Sequence, residues 1–189
     1  MRKPALACLL AWSLIGTCGA VDPQQSSSPQ SKPQPSPGAA AERPAEKHST
    51  LEDRQRLVTV AHKLEASPLD STLAPEREWA VSWTVAAPDI HVRTCPALLA
   101  DLRRPRYKYR SEMGAQLLIS SAAFLIEHPD QPDSIAVQSV GGMEGVLRAY
   151  SAILKTDPQA TAKPLDEFLQ KQSNGKLAET VREMVKDCH

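Results

Sequence analysis

His91 and Cys95 stand four residues apart, the spacing that puts two side chains on one helix face, and a thiol at a helix start is more acidic than usual. Such a pair could serve as a nucleophile with its base. Pro88 and Pro96 work against it by keeping the segment between them out of a helix, and an oxidised Cys95 would offer no thiol. Glu127, His128, Asp130 and Asp133 form a second candidate, three carboxylates and an imidazole suited to a hard cation or zinc. A metal needs ligands converging from fixed elements, whereas these four share a proline-broken connector where capping and solvation account for them. His91, Glu127 and His128 are the residues that a small hydrolase or metal-dependent enzyme would use here.

Gly141-Gly142-Met143-Glu144-Gly145 has the glycine density of a phosphate loop but lacks its Gly-Lys-Ser/Thr ending and a preceding strand. Small residues four apart in a helix instead allow close helix approach or a local bend. Ser120 and Ser121 lie in an apolar run with no Gly-x-Ser-x-Gly elbow, which predicts hydroxyls bonded back to the helix or lining a small gap. No cofactor is implied. The densest surface chemistry is Arg103, Arg104, Arg106, Lys108 and Arg110, interleaved with Tyr107 and Tyr109. Cations beside stacking rings suit an anionic polymer or phospholipid headgroups; the other reading is a solvated connector whose tyrosines turn inward. Trp79 and Trp83 are likewise either core anchors or an exposed binding stripe.

The elements that must hold these residues are helical almost throughout. Thr50 can cap a first helix, with Asp53 completing a weaker capping box and Leu57, Ala61 and Leu64 on one face before Pro68. Pro75 suits the first residue of a second helix, which carries Trp79 and Trp83 and stops at Pro88. Asp89 to Thr94 reads as a brief extended connector, and Pro96 opens a short helix with Leu98, Leu99 and Leu102. From about Tyr107 to Glu127 runs the most apolar helix, whose Met113, Leu117, Ile119, Phe124 and Ile126 cover more than one face and predict a central position. Asp133 or Ser134 caps a helix to about Lys155, with Val140, Met143, Leu147, Tyr150 and Leu154 as its stripe. Lys163-Pro164 starts a shorter helix that Gly175 stops, and a last helix aligns Leu177, Val181, Met184 and Cys188. The expected fold is all-α, a single orthogonal or irregular bundle of about six to seven helices over residues 49–189.

Ahead of that domain the composition changes twice. Met1 to Ala20 reads as an export signal, with Arg2 and Lys3, an apolar run from Ala5 to Ile15, and Cys18-Gly19-Ala20 as a small-residue cleavage site. The run is shorter than the roughly 20 apolar residues a membrane helix takes. Ile15-Gly16-Thr17-Cys18 resembles a bacterial lipobox, so lipid attachment at Cys18 stands beside simple cleavage, with Thr17 departing from the usual Gly, Ala or Ser. Residues 21–48, rich in Pro, Ser and Gln, are expected to be a disordered linker. The expected location is exported, periplasmic or secreted, with a membrane reached only through Cys18.

Cleavage leaves Cys95 and Cys188, which an oxidising compartment would join across a loop of about 90 residues; two unpaired thiols are the alternative. The chain of 189 residues balances 22 Lys and Arg against 22 Asp and Glu. Without Arg2 and Lys3 it keeps 20 against 22, a net charge of −2. No general affinity for polyanions follows, and nucleic acid is not an expected partner.

Tyr150 through Pro158 resembles the close of a tetratricopeptide unit, an aromatic and an apolar residue followed by Pro after the turn, and Glu127-His128-Pro129-Asp130 ends an earlier helix similarly. The Trp-Leu-Gly-Tyr pattern and the 34-residue period of that family are absent, so the resemblance implies helical hairpins over at most about a third of the domain. The stretch from Arg77 to Phe124 is similar to uncharacterised exported helical proteins of soil bacteria, which implies no particular activity. The expected function is therefore a non-enzymatic binding or interaction domain of the cell envelope. Its partner would be an envelope protein or an anionic envelope component, met through Arg103, Arg104, Arg106, Lys108 and Arg110. The enzyme on His91, Glu127 and His128 is the alternative, and a purely structural envelope protein is a third.

Overall fold

The computed structural model describes residues 48–103 and 107–188. The expected export signal, Cys18 with its alternative of lipid attachment, residues 21–47 of the expected linker, Arg104 and Arg106 lie outside the described residues.

Helix α1 (Leu51–Ala66) begins where Thr50 Oγ1 accepts the Asp53 N–H at 3.1 Å and donates to the Asp53 carboxylate at 2.8 Å, a cap contributing about 1 kcal/mol. Asp70 caps the 3₁₀ turn Ser71–Leu73, and α2 (Ala74–Ala86) follows with Pro75 in its first turn, where the missing N–H is not needed. The connector after Pro88 forms no strand. Ile90 is buried instead, and the Arg93 N–H donates to Gln138 Oε1 at 2.6 Å. The short helix at Pro96 is 3₁₀ over Pro96–Arg103.

Then come α3 (Arg110–Glu127), α4 (Ile135–Thr156), α5 (Lys163–Ser173) and α6 (Leu177–Val185). Of the two candidate caps for α4, Ser134 is the one used; its hydroxyl accepts the Val137 N–H at 3.2 Å. Gly175 stops α5 at φ +69° while the Lys176 N–H reaches Lys171 O at 2.8 Å, a left-handed position that costs glycine little. The fold is an all-α bundle.

Helix α3 is central. Leu57, Leu64 and Ala80 from α1 and α2 cover its Ile119 and Ala122, while Met143, Leu147 and the 3₁₀ residues Leu98 and Leu102 lie in the core that holds its Met113 and Leu117. Its contact with α4 runs along Gly141, Gly142 and Gly145, where an added Cβ would overlap the Phe124 ring, Ser121 Oγ and the Ser120 side chain respectively. The glycine-rich stretch is thus a close-approach seam. Cys188, just beyond α6, is disulfide-bonded to Cys95 with the Cα atoms 5.7 Å apart, so the C-terminus is tied to the start of the 3₁₀ segment.

Candidate functional site

The basic and aromatic connector does not present its rings outward. Tyr107 packs edge-on against Tyr109 and Tyr150, with ring centroids at 6.0 and 6.2 Å. Burial pushes its phenol well above the ordinary range. Tyr109 donates to Asp157 Oδ2 at 2.8 Å, and Lys108 Nζ donates to the same oxygen at 3.0 Å while lying 4.7 Å from the Tyr109 ring centre. These two bonds, Tyr109 first and Lys108 second, hold the Asp157 carboxyl below its usual range. The buried Tyr150 hydroxyl accepts the Ala162 N–H at 2.9 Å and donates to Asp166 at 2.6 Å, fixing the α4–α5 loop. Burial and Asp166 together push that phenol up to about 12.

Where the connector meets the α4–α5 loop a cleft of about 760 Å³ opens. Leu102, Tyr107 and Ala160 give it apolar walls, and its other lining residues include charges of both signs, Asp101, Lys108, Asp157, Lys163 and Glu167. Arg110 is exposed and lines a different groove, of about 610 Å³, between the 3₁₀ segment and α3. Of the five cations singled out by sequence, the two whose side chains are described part company: Lys108 is paired with Asp157, and Arg110 faces another opening.

The other candidates are engaged locally. Cys95 is buried and disulfide-bonded, so exposed His91 has no thiol there to activate. Glu127 Oε1 meets His62 Nε2 at 2.9 Å, the His128 ring lies 4.5 Å from that of Phe124, and Asp133 pairs with Arg93 at 2.8 Å. Among the described residues no three His, Cys, Asp or Glu side chains converge as a metal site requires. Trp79 and Trp83 are half-buried and stacked at 6.1 Å, with the Arg56 guanidinium 3.8 Å over Trp79.

Sequence reasoning missed a highly connected buried polar group. Glu65 of α1 is buried, and its carboxylate accepts from Arg148 Nε at 2.8 Å, Arg148 Nη2 at 3.0 Å and Ser120 Oγ at 2.8 Å, while His62 Nδ1 lies 3.1 Å away. Gln116 Nε2 donates to Ser120 Oγ at 2.8 Å. Burial alone would raise the Glu65 pKa, but the bonds from Arg148, His62 and Ser120 outweigh it and lower the value. His62 is raised, chiefly by Glu127. Ser120 gives its hydroxyl proton to a carboxylate rather than to an imidazole, which makes this a knot joining α1, α3 and α4 rather than a nucleophile–base relay. A carboxylate beside Leu64 on an otherwise apolar stripe was the available signal.

Fold and site together define a disulfide-tied, all-α domain with two separate surface openings flanking one connector. Compared with known proteins, the chain matches no family model, no curated protein and no solved structure.

Proposed function

We propose that this chain is an exported, non-enzymatic binding domain that holds an extended segment of an envelope protein in the cleft between the Tyr107–Arg110 connector and the α4–α5 loop. The observation that carries the reading is the cleft itself, apolar in its walls and lined by charges of both signs. A single-sign polyanion would meet Asp101, Asp157 and Glu167, whereas a polypeptide can answer both signs and fill the apolar walls. Export is supported by the order of features in Met1–Ala20 and by the disulfide of Cys95 with Cys188.

Thr161 lines the cleft and is exposed, which makes it the probe. A photo-crosslinker at Thr161 should capture one envelope protein in native cells, a crosslinker at exposed Gln55 should not, and Thr161→Trp should abolish recovery of that protein. Identical capture from both positions, or recovery indifferent to Thr161→Trp, would overturn the reading. N-terminal sequencing of the extracellular or periplasmic product should begin near Val21, or at a lipid-modified Cys18.

A further inference from the structure

The groove on the other side of the connector differs in kind from the cleft. It runs between the 3₁₀ segment and the first turns of α3, and its floor is Leu99, Leu117 and Leu118 beside the Cys95 end of the disulfide. Leu99 and Leu118 are only half-buried. Arg110 stands among the lining residues, and among the described residues it makes no ion pair and no carboxylate lines the groove. Arg110, Gly114, Leu117 and Leu118 fall at spacings of four and three along α3, so cation and apolar floor share one helix face. An added Cβ at Gly114 would meet nothing within 4 Å. The absent side chain therefore leaves open the space above the leucines, unlike the three α4 glycines, which are filled by neighbours.

An apolar trough with a single cation asks for an amphiphile of the opposite sign. Its volume of about 610 Å³ lies within the roughly 300–1,000 Å³ typical of small-molecule sites. A guanidinium pairs with a carboxylate in bidentate fashion. We infer that this groove is a binding site for a free single-chain fatty acid, whose acyl chain lies on Leu99, Leu117 and Leu118 and whose carboxylate is held by Arg110. The site is separate from the polypeptide cleft, and it takes its ligand without any covalent step.

The test uses the full processed chain with its disulfide intact and dodecanoate as probe, followed by calorimetry and by chemical shifts of the Leu118 methyl groups. Dodecanoate should bind and shift those methyls. Gly114→Leu should weaken binding by about tenfold or more by filling the trough, while leaving the thermal midpoint unchanged or higher. Arg110→Glu should weaken dodecanoate about tenfold or more and improve binding of dodecyltrimethylammonium, the charge-reversed probe. Thr161→Trp should leave dodecanoate affinity unaltered, so failure here and failure of the partner cleft are distinguishable. Absence of dodecanoate binding, binding indifferent to Gly114→Leu, or binding only to phosphatidylglycerol vesicles and not to monomeric dodecanoate would each overturn the assignment.

Discussion

At the scale of single residues, Glu65 is a buried position on which three side chains converge. Its side chain is 5% exposed, and Arg148, Ser120 and His62 all reach it. A buried carboxylate is costly unless each lone pair is answered. Arg148→Ala should therefore cost about 1–3 kcal/mol, read as a lower urea midpoint, and Glu65→Gln/Arg148→Met together should cost less than Arg148→Ala alone. The two ends of the pH range should act in opposite senses. Glu65 has a lowered folded pKa, so its contribution is present above the unfolded value near 4.3 and is lost as pH falls through the folded one. His62 has a raised folded pKa, so its contribution is complete below about pH 6.5 and is lost as pH rises through the folded value. Unfolding free energy measured from pH 6 to 9 should decline in the wild-type chain, and His62→Gln should remove that decline. An unchanged slope would mean that the imidazole is not held between Glu65 and Glu127 in solution.

At the scale of elements, the glycines make opposite predictions according to what surrounds them. Replacing a helical glycine by alanine gains up to about 1 kcal/mol in propensity. At Gly145 the added Cβ would overlap Ser120 and Glu65 Oε1, and at Gly142 it would overlap Ser121 Oγ and press on Leu117, overpacking that typically costs about 1–3 kcal/mol. Gly145→Ala and Gly142→Ala should thus destabilise, with spacing between α3 and α4 increased, while Gly114→Ala should stabilise by about 0.5–1 kcal/mol in urea unfolding. The same contrast shows what the sequence could carry. Helix starts were legible at Thr50, at Asp133 or Ser134, and at Pro164, and the centrality of α3 was legible from its all-round apolarity, because caps and periodicity are local properties. Close approach at Gly141–Gly145 was legible as a possibility but not its partners, which come from another helix. The connector at Tyr107–Arg110 was open between two readings. Packing of the half-buried Tyr107 ring on Tyr150 and the pairing of Lys108 with Asp157, 49 residues away in sequence, favour the inward one. The Glu65 knot was illegible because its members are scattered along the chain and meet only through tertiary packing.

At the scale of the whole molecule, the disulfide decides how securely the C-terminal quarter is held. Helix α6 spans only nine residues, too short to be stable alone in water, and its grip on the bundle comes from Leu177, Val181 and Val185, all buried against the core that contains α4. The Cys95–Cys188 bond closes a span of 93 residues, and restricting the unfolded chain to that extent is worth about 4–5 kcal/mol in the chain-entropy model. That is a large share of the roughly 5–15 kcal/mol by which a domain is usually stable. Cys188→Ser, or reduction with dithiothreitol, should therefore lower the denaturant midpoint sharply. The amides of α6 should exchange first, followed by those of the 3₁₀ segment Pro96–Arg103, while α1 and α2, whose core residues Leu57, Leu64 and Ala80 lie in the other cluster, should keep their protection. The bond also anchors Cys95 in the wall of the groove at Gly114, so reduction should weaken dodecanoate binding before it unfolds the bundle. Hydrogen exchange with and without reductant measures both effects, and equal protection of α6 in the two states would show that apolar packing, not the crosslink, secures the chain's end.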